Sequence, residues 1–219
     1  MSEKREIVLP GELLCEKAGR KVGYGVYLEG EKVFSKVLGI PNIGENEVFV
    51  IPLAGAYMPR VGDRVIGKIL SVEISGWMID INSPYVAFLP LAEGVGEFVD
   101  ISRTDISRYF DVDDVVFCTV SKVTKDKTIQ VSMRNIGSRK LYGGVLIKIN
   151  PNKVPRIIGK GGSMINIIKK KTNCEIYTGR NGYIWIRGEN KSKAIEAILT
   201  IEKESHTIGL TEKIEKMLS

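Results

Sequence analysis

Apolar residues along the first 57 positions fall into short runs with strand-like spacing: Glu6–Leu9, Gly25–Leu28, Lys32–Leu38 and Val48–Ile51. Turn-forming pairs separate them, namely Pro10-Gly11, Glu29-Gly30 and Pro41-Asn42. These runs predict a small all-β module over residues 1–57. A module of that size makes a marginal core, so it is expected to pack against a neighbouring domain or subunit.

From residue 58 to 136 the β pattern continues with longer members: Arg64–Glu73, Trp77–Ile81, Val86–Leu89, Val115–Val123 and Thr128–Met133. Five strands of this length suit an OB-fold barrel. Past residue 137 the period changes. A strand over Gly144–Ile149 leads into a short helix after Asn150, where Pro155 is tolerated in the first turn. Ser163 to Asn173 carries apolar residues at 164, 165, 167 and 168, the spacing of an amphipathic helix. Strands over Cys174–Tyr177 and Tyr183–Arg187 follow, then a long helix from about Lys191. The expected fold class is therefore mixed β and α+β, with domains at 1–57, 58–136 and 137–219.

Between the two helical segments of the last domain lies Gly159-Lys160-Gly161-Gly162. Three glycines in four positions let the main chain turn sharply and leave its N–H groups uncovered by side chains. The next helix directs its partly positive N-terminus at this loop, and Lys160 adds a mobile charge. Spacing excludes two other phosphate loops. A P-loop needs Ser or Thr after Gly-Lys and a glycine at 154, where the chain has Gly161 and Val154; a dinucleotide fingerprint needs a glycine where Met164 stands.

Charge changes the picture more than composition does. The net +6 divides into −1 for residues 1–57, −2 for 58–137 and +9 for 138–219, a stretch without aspartate. A polyanion approaching this last third meets mostly attraction. Cys15, Cys118 and Cys174 are an odd, widely spaced set with no C-x-x-C pair, which speaks against a disulfide framework or zinc site and for core thiols. His206, the sole histidine, is expected on a helix face. No apolar run approaches membrane-spanning length and no signal-like segment follows Met1, so no membrane partner and a cytoplasmic location are expected.

The frame Ile158-Gly159-Lys160-Gly161-Gly162-Ser163-Met164-Ile165 resembles the KH domain of type I, whose GXXG loop clamps single-stranded nucleotides by their backbone. Val61-Gly62-Asp63-Arg64-Val65-Ile66-Gly67-Lys68-Ile69, Gly76-Trp77, Ala87-Phe88-Leu89-Pro90 and Ile129-Gln130-Val131-Ser132-Met133-Arg134 resemble the S1 domain, with an enlarged connection at about Ala92–Asp111. Where binding-competent S1 domains carry aromatics and an Asp/Arg pair, this chain has Ser75, Met78, Pro90, Thr124 and Thr128. Trp77 and Phe88 could stack on bases or be buried. With base stacking worth about 1–3 kcal/mol each, the barrel is expected to bind weakly alone.

A β module, an S1 barrel and a KH domain in this order are similar to the RNA-binding cap subunits of the archaeal exosome, a likeness also carried by Gly11-Glu12-Leu13-Leu14 after Pro10 and by Asn82-Ser83-Pro84-Tyr85. The resemblance implies a non-catalytic subunit without cofactor or metal. It further implies a homotrimer that caps a hexameric ring of RNase PH-like subunits through its N-terminal module, recruits single-stranded RNA and raises processivity. Site residues expected on this basis are Gly159, Lys160, Gly161 and Gly162, with Arg156 and Lys169 around the KH groove and Arg103 and Arg108 in the enlarged S1 loop. Lys169–Lys171 have a second reading, as cations complementing the helix dipole. A ribonuclease with its own KH and S1 modules is disfavoured by the domain order and by the lack of a catalytic core. The acidic cluster Asp111, Asp113 and Asp114 falls where a turn precedes the fourth strand. A free-standing RNA-binding or translation-associated factor is the remaining alternative.

Overall fold

The computed structural model describes residues 7–53, 55–97, 99–100, 104–205 and 209–218. It divides into two units, residues 1–55 and 56–219.

The first unit holds six short strands: β1 (Leu13–Glu16), β2 (Lys21–Val22), β3 (Val26–Glu29), β4 (Lys32–Ser35), β5 (Gly39–Ile43) and β6 (Glu47–Pro52). They form two three-stranded sheets, β1-β4-β3 and β2-β6-β5, around buried Val8, Val26, Val33, Val48 and Val50. Pro41-Asn42, read from sequence as a turn, lies inside β5, and the turn falls later, where Gly44 N–H donates to Glu47 O at 3.0 Å. Proline is tolerated there because β5 is an edge strand and needs no donor on its open side. Of the expected Glu6–Leu9 strand, a single bridge between Val8 and Gly39 is present, and Glu6 lies outside the described residues.

In the second unit, β7 (Arg64–Glu73), β8 (Gly76–Asp80), β9 (Ala87–Pro90), β10 (Val115–Val123) and β11 (Ile129–Ser132) run in the order β11-β9-β8-β7-β10. The β10–β11 pairing closes them into a five-stranded barrel. Period-two alternation explains the closure: Val65 and Ile69, Trp77 and Ile79, Ala87 and Leu89, Val116, Cys118 and Val120, and Ile129 and Val131 all point inward. Gly67 admits the Ile79 side chain, whose Cγ2 would stand 2.3 Å from a Cβ at that position. The enlarged connection contains a helical turn, α1 (Leu91–Gly94), and returns over the barrel end. There the Trp77 indole N–H donates to Phe110 O at 2.7 Å and the two rings meet edge to face. Trp77 is thus core. Phe88 is half-buried beside Met78, its cross-strand partner.

A short strand not apparent in the sequence, β12 (Arg139–Leu141), extends the barrel sheet alongside β10 and leads into the last domain. That domain comprises β13 (Val145–Lys148), α2 (Val154–Ile158), α3 (Ser163–Thr172), β14 (Glu175–Thr178), β15 (Tyr183–Arg187), α4 (Lys191–Lys203) and α5 (Leu210–Met217). Its antiparallel sheet has the order β13-β15-β14. Ile176, Ile184 and Ile186 face the helices, where Ile157, Met164, Ile165 and Ile168 meet Ala194, Ala197, Ile198 and Ile201 of α4. The expected long C-terminal helix is two helices, with Gly209 at φ +78° entering α5. His206, placed from sequence on that helix, lies outside the described residues. The mixed β and α+β class, with a closed barrel and an α+β domain, is borne out. Among the described residues no helix is long and apolar enough to cross a membrane.

Candidate nucleic-acid interface

The glycine loop forms between α2 and α3. Pro155 sits in the first turn of α2, and Asn150 caps the preceding 3-10 turn by accepting from Asn152 N–H at 3.0 Å. Asn150 N–H in turn donates to Glu202 Oε1 at 2.7 Å, tying the approach to α4. Gly159, Gly161 and Gly162 have φ of +75°, +60° and +80°, a region that costs an L-residue about 1–2 kcal/mol. The three glycines serve different ends. A Cβ on Gly159 would lie 2.8 Å from Met164 N, so this glycine also permits close packing of the loop on α3. A Cβ on Gly161 would meet nothing within 4 Å, so its surroundings are open.

Lys160 and Gly161 are exposed, while Gly159 and Gly162 are partly covered. Two amides near the turn are already used inside it: Gly162 N–H donates to Gly159 O at 3.1 Å, and Ser163 N–H to Lys160 O. The bare backbone read from sequence is therefore concentrated at Lys160-Gly161. Arg156 is exposed on α2, three residues before the loop. Lys169, Lys170 and Lys171 occupy the last turn of α3. At 1.5 Å per residue, that turn lies roughly 10 Å along the helix from the loop. Arg108 ends a 3-10 turn in the enlarged S1 connection, its guanidinium 4.8 Å from the Tyr109 ring centre and donating to Tyr109 Oη at 3.0 Å. Arg103 lies outside the described residues.

The acidic cluster is a turn. Asp114 accepts from Asp111 N–H at 2.6 Å and pairs with Lys140, while Asp113, at φ +71°, pairs with Lys68 at 2.8 Å.

A second tetrapeptide of the same spacing, Gly179-Arg180-Asn181-Gly182, went unweighed in the sequence and has an opposite role. Asn181 is fully buried against the barrel. Its Oδ1 accepts from Ile66 N–H at 3.3 Å, and its Nδ2 donates to Ile66 O at 2.6 Å and Ile81 O at 2.8 Å. Asn82 Nδ2 donates to Asn181 O at 2.6 Å. The cause is local. β8 stops at Asp80 opposite Lys68, and Asn82 turns away at φ +54°, which leaves the Ile66 backbone needing a partner that the Asn181 amide supplies. Tyr183 Oη donates to Asp80 Oδ2 at 2.6 Å beside it, and burial, then this carboxylate, pushes the phenol pKa up. Ile66, Phe117, Leu141 and Trp185 close the joint as one apolar cluster. A buried-looking Ile66 on the outer barrel face was the available signal.

Comparison with known proteins agrees with this architecture. Family models match residues 5–54 (exosome RNA binding protein RRP4 N-terminal domain), 56–122 (RRP4, S1 domain) and 144–192 (KH domain). The chain is similar to the exosome complex component Rrp4 of Pyrococcus horikoshii, at 44% identity over 99% of this chain and 83% of that one. It is 45% identical to that of Pyrococcus furiosus over the same shares, and 40% identical to that of Methanothermus fervidus over 99% and 96%. A crystal structure assigned as an exosome complex RNA-binding protein superimposes with a TM-score of 0.69 at 35% identity, covering 75% of this chain and 95% of that one.

Proposed function

The chain belongs to the Rrp4 family of exosome components, a non-catalytic RNA-binding subunit, and from that membership we propose that it caps a phosphorolytic ring. In this reading three copies sit through their N-terminal modules on a hexamer of RNase PH-like subunits in the cytoplasm. They recruit single-stranded RNA and raise the processivity of 3′ to 5′ degradation. The observation that carries the RNA-binding step is the solvent-facing turn at Lys160-Gly161, framed by left-handed glycines in a region of net charge +9. Lys160 and Arg156 attract phosphates, the loop backbone approaches them closely, and counterion release supplies much of the free energy. Arg108, Arg103 and Lys169 are secondary contacts in this reading. Three weak sites held on one ring act at high effective concentration, so the assembly binds far more tightly than one chain.

Gly161→Asp with Gly162→Asp tests this. Two carboxylates at the turn are expected to weaken binding of a single-stranded oligonucleotide by about tenfold or more, through repulsion of phosphate. Circular dichroism and co-elution with the ring should be unchanged. Unchanged affinity in a filter-binding assay would remove the turn from the RNA site. Failure of the wild-type chain to co-elute with the ring would favour a free-standing factor.

A further inference from the structure

At the edge of the S1–KH joint, aromatic rings from both domains form a row, and arginines lie on it. Phe117 of the barrel stands 5.3 Å from Tyr177, which stands 5.9 Å from Trp185. The Arg64 guanidinium carbon sits 4.9 Å from the Phe117 centre, that of Arg139 5.7 Å from Tyr177, and that of Arg187 5.6 Å from Trp185. All three arginines are exposed. Arg180 joins the end of the row, its N–H bonded to Arg64 O at 2.9 Å.

The carboxylates nearby are unevenly distributed. Glu175 pairs with Arg187 at 2.6 Å and Asp63 with Arg180 at 3.4 Å, whereas among the described residues neither Arg64 nor Arg139 has a carboxylate partner. Arg64 is nonetheless held in place, donating through Nη2 to Ile136 O at 2.9 Å. An exposed guanidinium carried on an aromatic ring keeps N–H donors that a phosphate can take up, and on Arg64 these are the ones not given to Ile136 O. Fixing the group beforehand lowers the entropy lost when an anion arrives.

We propose that Arg64 and Arg139 form a second phosphodiester-binding site across the S1–KH joint, one that takes the backbone of a single-stranded RNA beyond the nucleotides held at the glycine turn. This rests on the RNA-binding reading above. Arg187 and Arg180, already neutralised, flank the site and set its limits. Both arginines stand on the barrel sheet, and Arg139 lies over Tyr177 of the KH domain, so the strand passes along the joint over a surface whose geometry is set by the buried Asn181 contacts.

The test compares full-length wild type, Arg64→Gln/Arg139→Gln, Arg64→Lys/Arg139→Lys and Gly161→Asp/Gly162→Asp in binding to single-stranded oligoadenylates, as a function of salt. The glutamine pair is expected to lose about tenfold in affinity for a long oligomer. The slope of log K against log salt should fall by about 1.4, at about 0.7 per phosphate contact. Binding of a tetranucleotide that fills the glycine turn should be unchanged, and the lysine pair should restore the salt slope. If the arginines merely cover the aromatic row, the glutamine pair lowers the denaturation midpoint while long-oligomer affinity per folded molecule stays at the wild-type value, which overturns the proposal. Unchanged affinity in a fully stable glutamine pair overturns it too, and points to an acidic protein segment as the occupant. If neither the glutamine pair nor the aspartate pair weakens binding, the reading of the glycine turn falls as well.

Discussion

Two tetrapeptides of one domain, Gly159-Lys160-Gly161-Gly162 and Gly179-Arg180-Asn181-Gly182, share glycines at the same spacing and meet opposite surroundings. The first faces solvent, with open space around Gly161. The second is enclosed: a Cβ on Gly179 would lie 2.7 Å from Ile66 N of the barrel, and one on Gly182 2.4 Å from Ile149 O of its own domain. Glycine spacing grants a sharp turn in both. What the turn then does is decided by its third residue and by what lies opposite. Gly161 leaves its backbone open to solvent, whereas Asn181 offers two donors and an acceptor to a strand with an unmet need.

Breaking the buried turn should have the largest effect. Asn181→Ala strands the Ile66 N–H, Ile66 C=O and Ile81 C=O at a dry interface, and at about 1–3 kcal/mol for each of these groups left unpaired the loss of stability should be about 3 kcal/mol or more. Equilibrium urea denaturation measures it, and a loss under about 1 kcal/mol would mean that water enters the joint. The exposed turn should respond less and unevenly. Gly161→Ala meets only its backbone strain and should cost about 1 kcal/mol, while Gly159→Ala adds the collision with Met164 and should cost about 2 kcal/mol or more. If the two alanine variants unfold alike, the division between an open and a packed glycine is wrong.

The smallest expected effect marks off the barrel core from both turns. Burial pushes the Cys118 thiol up to about 12, so in the folded protein it stays protonated where an unfolded thiol ionises. Its contribution to stability is complete below the ordinary thiol value and declines as pH rises from there towards 12. Cys118 should resist iodoacetamide at pH 8.5 in native buffer and react once urea unfolds the chain; mass spectrometry of tryptic peptides reads both.

Much of this was legible in the sequence, and the reason is physical. Strands β7 and β10 have the bounds that alternation predicts, because inward positions recur at every second residue, Val65, Gly67 and Ile69 in one and Val116, Cys118 and Val120 in the other, before a bulge shifts the register of each. The glycine loop and α3 were legible because positive φ and helical period are properties of the local chain. What escaped depends on partners distant in sequence. Pro41-Asn42 looks like a turn until β6 is seen lying on the other side of β5. Asn181 looks like a turn residue until Ile66, 115 positions away, presents its unpaired backbone.

The seam at Ile66 bears on how this protein can be divided. The barrel lacks one rung of its own ladder and borrows it from a side chain in the following domain, so a fragment ending near residue 137 would present a wet, half-satisfied groove where the intact chain is sealed. Such a fragment should self-associate, since any passing strand can complete the ladder. The covalent link between barrel and KH domain thereby guarantees, at every moment, the right tenant for that vacancy.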